Sequence, residues 1–307
     1  MFSEKFNKII IVFNLFLIES EYKISEVCCQ IKLMKKLNIL FAFFVCVISQ
    51  AQTISGTVIS KDYNQPVPYA KIGIVNNNFG VQADENGKFQ IKLDDISRDK
   101  ELMVAVAGYK QFRSSVEDFV KTNPHNIYLY EKVTNIQEVV MTPKNYKDKN
   151  LGVNSKSKSI MFTPNMEKGN SVVEETAVEF SSNKKLKITK INMNFSRFES
   201  TTPIKVRYTI YDEKDGKPNN LILSKDIIAT INKDDLDDFT YSLDVINEKI
   251  WLEGKFFVGI QFIGQSNGKV ALSGALFRSG YYRSFYGNWE KIGMAAPAIN
   301  IDVKVQK

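Results

Sequence analysis

The 307-residue chain contains only three cysteines and one histidine, the side chains from which most transition-metal sites and nucleophile–base pairs are built. All three cysteines lie within the first 46 residues. His125 follows a proline and has no nucleophile or orienting group near it in the sequence. We therefore predict a chain with no catalytic residues, no metal site and no cofactor.

A segment near the start is typical of an export signal. Residues 34–51 read MKKLNILFAFFVCVISQA. A basic start, an apolar run of about a dozen residues and a small residue at its end are the marks of a secretory signal peptide. We assign residues 34–51 to that signal, expect cleavage after Ala51, and interpret residues 1–33 as a mis-called translation start.

A predicted export signal indicates where the protein is located and which classes of partner it meets. We expect the protein in the periplasm, at the outer membrane or secreted, with no cysteine left for disulfides after cleavage. No later apolar run approaches the roughly 20 residues of a membrane-spanning helix, so we expect no transmembrane segment in the mature chain. An anchor over residues 9–18 is the alternative, but Asn14 interrupts that run. Scattered lysines supply the net charge of +7, which argues against nucleic acid as a partner.

Residues 52–131 predict an all-β sandwich. Apolar and polar residues alternate in short runs separated by turn residues, about every ten residues. Asn86 and Gly87 supply the positive φ angles that a tight hairpin turn between two of these runs requires. The predicted strands are residues 54–59, 70–75, 79–83, 88–93, 102–107 and 126–130.

Several short motifs in this region have the spacing of a known family. They are ISGTV at 54–58, PVPYA at 66–70, NGKF at 86–89, VAVAGY at 104–109 and IYL at 127–129. On these residues the region resembles the carboxypeptidase regulatory-like domain, a transthyretin-like β-sandwich of exported Bacteroidetes proteins. Such domains also form the N-terminal extension of TonB-dependent receptors. The resemblance implies a structural domain that supplies no catalytic residues.

Residues 132–170 differ from both flanking regions in composition. They are polar, rich in lysine, and contain asparagine, serine and glycine between the lysines. Such a segment buries little apolar surface. We therefore predict a linker, either a flexible tether or an extended crossing, between two domains.

Residues 171–307 again predict strands, and no amphipathic helix stands out. In residues 206–211 and 257–262 the apolar and the more polar side chains separate onto two faces. Eight strands with long connections favour a jelly-roll-like β-sandwich. The region also resembles the sandwich that follows the regulatory-like domain in Bacteroidetes envelope proteins. The predicted strands are residues 174–180, 186–198, 204–211, 227–231, 239–243, 256–263, 270–276 and 299–305.

Aromatic and arginine residues are concentrated in residues 277–289. Exposed rings stack on the apolar faces of sugars, and arginine hydrogen-bonds sugar hydroxyls. The alternative is that alternate aromatics of a hairpin point into the core. The candidate ligand-binding residues are Arg278, Tyr281, Tyr282, Arg283, Tyr286 and Trp289.

Together these features predict an exported, non-enzymatic cell-envelope protein that binds a glycan, a peptide or an envelope protein. One alternative is a glycan hydrolase that uses carboxylates such as those of residues 234–238 or of Glu174 and Glu175, because glycosidases need two carboxyl groups across a cleft. A second alternative is a purely structural component of an uptake complex.

Overall fold

The computed structural model describes residues 53–132, 145–164 and 174–307. The segments predicted as a mis-called start (1–33) and as a signal peptide (34–51) lie outside the described residues. Within the described residues the chain consists mainly of antiparallel β-sheet, which confirms the predicted all-β class. None of the helices among these residues has the length and apolar character needed to cross a membrane.

The first domain, residues 53–132, is a sandwich of two four-stranded sheets. One sheet has the order β2-β1-β5, with β8 parallel to β1, and the other has the order β4-β3-β6-β7. All six predicted strands are present. The elements are β1 (Thr53–Ser60), β2 (Gln65–Pro66), β3 (Lys71–Ile74), β4 (Gly80–Gln82), β5 (Lys88–Lys92), β6 (Glu101–Ala105), β7 (Phe112–Ser115), α1 (Val116–Lys121) and β8 (Ile127–Leu129).

Strand alternation builds the core of this domain. In β5, Phe89 and Ile91 are buried while their neighbours are exposed, as expected of a strand with one face against a core. The short helix α1, which the strand pattern does not predict, closes the sandwich with Phe119, whose ring lies 6.4 Å from that of Phe89. The Ser115 hydroxyl caps α1 by accepting a hydrogen bond from the Asp118 amide at 3.0 Å.

The second domain, residues 145–307, is built on long antiparallel strands. Its strands are β9 (Tyr146–Gly152), β10 (Met161–Phe162), β11 (Glu174–Phe198), β12 (Ile204–Lys214), β13 (Lys217–Leu221), β14 (Ile227–Ile231), β15 (Thr240–Asp244), β16 (Trp251–Ile263), β17 (Val270–Leu276), β18 (Gly280–Ser284), β19 (Glu290–Lys291), β20 (Ala295–Pro297) and β21 (Ile299–Gln306). Two short 3₁₀ helices, Lys233–Asp235 and Ile246–Glu248, lie in the connections.

Strand β11 organises this domain. The two strands predicted at 174–180 and 186–198 are halves of this single strand, which shifts register between Ser182 and Leu186. Its first half lies between β16 and β18, and its second half pairs with β15, β17 and β21. Strand β11 thus pairs with two groups of strands. Buried side chains of these strands form a continuous hydrophobic core.

Part of the predicted linker is folded. Residues 146–152 form β9, which pairs along its whole length with β21, and Val153 is buried in the core of the second domain. The tether interpretation is therefore wrong for residues 145–164, whereas residues 133–144 and 165–170 lie outside the described residues. The polar composition of this segment indicated a linker, but an edge strand can also be polar. It is held by the hydrogen bonds of its backbone to the next strand and requires few apolar side chains.

Thr53–Lys307 form one compact unit, so the two domains pack against each other. Phe285 and Tyr286, which follow β18, lie against β3 and β4 of the first domain. A Cβ atom at Gly73 would lie 2.9 Å from the Tyr286 ring, and one at Gly80 would lie 2.6 Å from the Phe285 ring. The missing side chains at these two positions allow the close approach.

Candidate binding site at the domain junction

A row of polar side chains crosses the sheet of the second domain where the first domain covers it. The four residues occupy directly opposed positions on the adjacent strands β18, β11, β16 and β12. Opposed positions place side chains on the same face of a sheet, about 5 Å from one strand to the next. In strand order the row is Arg283, Glu175, Gln261 and Arg207.

Small residues beside this row make room for a hydroxyl group of the neighbouring strand. Ala177 and Gly259 occupy the adjacent same-face positions on β11 and β16, opposite Thr209 on β12. A Cβ atom at Gly259 would lie 2.5 Å from the Thr209 hydroxyl oxygen, so only glycine leaves room for that hydroxyl. Tyr211, two residues further along β12, adds a second hydroxyl on the same face.

Glu175 is the centre of the site. Its side chain is 1% exposed. Oε1 accepts hydrogen bonds from the hydroxyls of Tyr211 at 2.5 Å and Thr209 at 2.8 Å. Oε2 accepts from Nε of Arg283 at 3.1 Å, from Nη2 of Arg283 at 2.9 Å and from Nζ of Lys71 at 3.3 Å. Both carboxylate oxygens are thus fully engaged.

Glu175 is ionised in this setting. Burial alone would raise the pKa of its carboxyl group, but the positive charges of Lys71 and Arg283 lower it, and the hydrogen bonds from Tyr211 and Thr209 lower it further. The net result is a pKa well below the ordinary value. Glu175 therefore acts as a fixed negative charge that joins the two domains.

The first domain contributes Lys71, the first residue of β3, to the hydrogen bonds around Glu175. Burial lowers the pKa of its ammonium group to about 7, although the charge of Glu175 opposes the shift. Its Nζ also lies 4.7 Å from the centre of the Tyr286 ring. Lys71 is therefore a buried amine that changes its protonation state near neutral pH.

Two further contacts fix the geometry across the junction. Arg207 forms a bidentate pair with Asp226 at 2.8 and 2.9 Å, and its Nη2 also donates to the backbone oxygen of Tyr69 at 2.9 Å. The Tyr286 hydroxyl donates to the backbone oxygen of Lys71 at 2.7 Å and accepts from the Ala105 amide at 2.8 Å. Both side chains from the second domain thus bind the backbone of the first.

These groups line a cavity of about 290 Å³ between the two domains. Met103, Ala105 and Val106 supply part of its wall from the first domain, and Asn219 and Asn220 lie at its edge on β13. Its lining also contains Lys71, Glu175, Arg207, Thr209, Tyr211, Gln261, Arg283 and Tyr286. The cavity is thus polar on the side of the second domain and partly apolar on the side of the first.

The amide nitrogen of Gln261 stands out within this lining. Gln261 is buried, its Oε1 accepts from Nη1 of Arg207 at 3.4 Å, and its Nε2 has no hydrogen-bond partner among the described residues. A buried donor without a partner costs about 1–3 kcal/mol. Gln261 is therefore a buried residue of the cavity lining with one unsatisfied donor.

The candidate binding residues predicted in 277–289 lie in different environments, some at the cavity, some in the core and some at the surface. Arg283 and Tyr286 line the cavity. Tyr281 and Trp289 are each 6% exposed and pack beneath it, with the Trp289 ring 4.3 Å from the Arg283 guanidinium. Alternation along β18 turns Tyr282 to the opposite face, where it is 39% exposed and donates to Glu290. Arg278 is exposed outside the cavity lining.

Most of these aromatic rings therefore lie in the core, as in the alternative arrangement of a hairpin whose alternate residues point inward. An exposed stacking platform made of all six residues is not present in this arrangement. Binding of a ligand by this set stays a prediction, and it now concerns Arg283 and Tyr286 in the first place.

The carboxylates predicted for hydrolysis are also separated. Glu174 and Glu175 are neighbours on β11 and point to opposite faces, so they cannot act on one bond. Residues 234–238 lie at the surface, where Asp235 caps a 3₁₀ helix and Asp238 pairs with Lys156 at 2.6 Å. Among the described residues, no group of three or more His, Cys, Asp or Glu side chains is placed to hold a metal ion.

Sequence reasoning missed Lys71, Thr209, Tyr211, Arg207 and Gln261 as parts of a site. A signal for three of them was present, because alternation in residues 206–211 separates Arg207, Thr209 and Tyr211 from the apolar side chains. The alternation predicts a polar face but not what covers it. The structure covers it with the first domain.

Comparison with known protein families supports the fold predicted for the first domain. Residues 54–141 match the family model described as the CarboxypepD_reg-like domain. Such a domain is a β-sandwich and is often non-catalytic. The predicted resemblance of residues 52–131 to this family is thus confirmed, while a Bacteroidetes origin and a likeness to TonB-dependent receptors stay predictions. A search of curated proteins finds no match to the chain.

The chain is distantly similar to several solved structures. The chain is similar to a clostridial cysteine protease, Cwp84, after propeptide cleavage, with 13% identity over 78% of this chain and 66% of that chain and a TM-score of 0.39. It is similar to the VP2 subviral particle of infectious bursal disease virus, with 12% identity over 77% of this chain and 52% of that chain and a TM-score of 0.25. A DUF3823 family protein from Bacteroides uniformis matches with 10% identity over 84% of this chain and 99% of that chain and a TM-score of 0.16. The chain thus spans about half to two thirds of the first two, and at these scores the likeness carries no functional argument.

Proposed function

We propose that this chain is a non-catalytic binding protein of the cell envelope and that its ligand occupies the junction cavity. The observation that supports this most strongly is the unpartnered Gln261 amide in a cavity lined by charged groups and hydroxyls from both domains. Cavities with a few convergent polar groups are the usual form of small-ligand sites. The signal predicted at residues 34–51 is the reason for placing the protein in the envelope.

The size of the cavity narrows the class of ligand. Ligand pockets commonly measure about 300–1,000 Å³, so a cavity of about 290 Å³ lies at the lower end. It suits one sugar unit of a glycan, or one or two residues of a peptide. A protein partner would reach it with a terminus or a single side chain.

The state of Glu175 supports binding without catalysis. A general acid needs a raised pKa, whereas Glu175 has a lowered one. A nucleophile or base needs a free lone pair aimed at the substrate, whereas both oxygens of Glu175 already accept hydrogen bonds. Of the described residues that line the cavity, Glu175 is the only one with a carboxylate, so the two-carboxyl arrangement of a glycosidase is not offered there.

Blocking the cavity provides the test. Asn219 lies at its edge, is exposed and belongs to β13. We expect Asn219→Trp to weaken binding of any cavity ligand at least about tenfold, which corresponds to about 1.4 kcal/mol, because the indole ring occupies the space of the ligand. The measurement is calorimetric titration of the purified protein with a panel of monosaccharides, sugar acids, amino acids and dipeptides.

Lys217→Trp is the matched control for this experiment. Lys217 is exposed on the same strand, two residues away, and does not line the cavity. We expect this variant to bind as the unmodified protein does. Equal affinities for both variants and the unmodified protein would place the ligand elsewhere, and turnover of any panel member would contradict the non-catalytic assignment.

A further inference from the structure

We infer that the ligand of the junction cavity is an anion that presents a carboxylate to Lys71 and Gln261. This inference rests on the proposed function, because it concerns the same cavity. It goes further by naming the charge of the ligand and the two groups that receive it.

The charges at the junction leave one positive charge unmatched. Arg207 is neutralised by its bidentate pair with Asp226. Arg113, at the edge of the cavity, pairs with Glu101 at 2.7 Å. The remaining carboxylate, Glu175, faces two cations.

Arg283 is the cation that Glu175 neutralises. It donates from two nitrogen atoms to one oxygen of Glu175, and it stays protonated under all ordinary conditions. Lys71 makes the longer contact, at 3.3 Å, and has two further N–H donors. Lys71 is therefore the surplus cation of the cluster.

A surplus cation in a buried site is unfavourable unless it loses its proton or gains an anion. The shift in the pKa of Lys71 toward neutrality shows the first response. An anion in the adjacent cavity supplies the second. The cavity thus has a surplus positive charge that an anionic ligand neutralises.

The hydrogen-bonding groups left over in the cavity lead to the same conclusion. Both oxygens of Glu175 are occupied, and the Tyr286 hydroxyl already accepts and donates. Two buried donors of the lining are unused, namely Nε2 of Gln261 and the remaining hydrogens of Lys71. A ligand that offers acceptors satisfies them, and a carboxylate offers two oxygens to an ammonium group and an amide.

Paired probes test this directly. Glucuronate and glucose are closely similar in size, and differ in that the first carries a carboxylate. N-acetylglycine and its amide form the same comparison for the C-terminus of a peptide. A charge-assisted hydrogen bond adds about 1.5–3 kcal/mol, so in at least one pair we expect the acid to bind about 10- to 100-fold more tightly than its neutral partner. The pair that responds identifies the source of the carboxylate.

Two substitutions locate the effect at the surplus cation. Lys71→Met keeps the length of the side chain and removes the charge, and we expect it to abolish the preference for the acid. Lys205→Met is the matched control, because Lys205 lies at the same junction, contacts the Tyr69 hydroxyl, and does not line the cavity. Gln261→Met is a second cavity variant if Lys71→Met does not fold. We expect it to lower the affinity for the acid at least about threefold, because one hydrogen bond is lost.

Proton uptake gives a readout besides affinity. At pH 8 Lys71 is mostly neutral, because its pKa is about 7, and a bound carboxylate favours its charged form. Binding of the acid should therefore take up a proton, which appears as a dependence of the binding enthalpy on the buffer. The groups that face Lys71 stay in one state near this pH, since Glu175 has a lowered pKa and Tyr211, Arg283 and Tyr286 have raised ones. Arg207 is paired with Asp226.

Each outcome decides the inference. A preference for an acid that is lost in Lys71→Met and kept in Lys205→Met supports it, together with proton uptake by the unmodified protein. Equal binding of acid and neutral partner overturns it and leaves the proposed binding function intact. Failure of all four probes to bind at 10 mM also overturns it, and the panel with Asn219→Trp then decides the proposed function separately.

Discussion

Replacing Glu175 with alanine is expected to lower the free energy of unfolding by about 3–5 kcal/mol, the cost of removing one partner from a buried ion pair. The change leaves Arg283 as a buried cation without its carboxylate, and it removes the charge that keeps the pKa of Lys71 from falling further. It also removes the acceptor for the hydroxyls of Thr209 and Tyr211. Urea unfolding at pH 7, monitored by tryptophan fluorescence, measures the change.

Glu174→Ala is the control for this prediction. Glu174 precedes Glu175 on the same strand, is half-buried on the opposite face, and takes no part in the network. We expect its loss to change stability by less than about 1 kcal/mol. If the two alanine variants are equally stable, Glu175 does not hold the domains together and the junction must be explained differently.

Trp289→Ala is expected to destabilise the protein by about 3–5 kcal/mol, as is usual for truncation of a large buried aromatic residue. The Trp289 ring is 6% exposed, lies 5.5 Å from the Tyr211 ring in an edge-on arrangement, and supports the Arg283 guanidinium at 4.3 Å. Loss of the indole leaves a cavity beneath two residues of the network. Thermal and urea unfolding report the change.

Phe277 supplies the comparison for Trp289. It belongs to the same aromatic segment but is 81% exposed, so Phe277→Ala should change stability by no more than about 0.5 kcal/mol. An exposed sugar platform predicts the reverse pattern, in which Trp289→Ala abolishes ligand binding at unchanged stability. That result would show that Trp289 faces a ligand instead of the core.

The strands were predictable because their signal is local. Alternation in residues such as 88–93 and 204–211 depends on which side of a strand faces the core, and every second position shows it. Helix α1 was missed because it has only six residues, three of them charged, and its formation depends on the cap at Ser115 and on burial of Phe119. Strand β9 was missed because its stability comes from pairing with β21, about 150 residues away.

The site was predictable only in part, for a different physical reason. The sequence places Arg207, Thr209 and Tyr211 on one polar face, but it does not show that the first domain covers that face. Lys71 and Glu175 are 104 residues apart in the chain, and their contact depends on the docking of two separately patterned sandwiches. Conversely, Trp289 looked like a binding residue because exposed and buried aromatics have the same local pattern in a strand.

The most direct measurement of the central claim is a crystal structure of the protein with glucuronate or N-acetylglycine, whichever binds more tightly. The account predicts the ligand in the junction cavity, with carboxylate oxygens within about 3.2 Å of Nζ of Lys71 and Nε2 of Gln261. A ligand bound at another place on the surface, with the cavity unchanged, would contradict it.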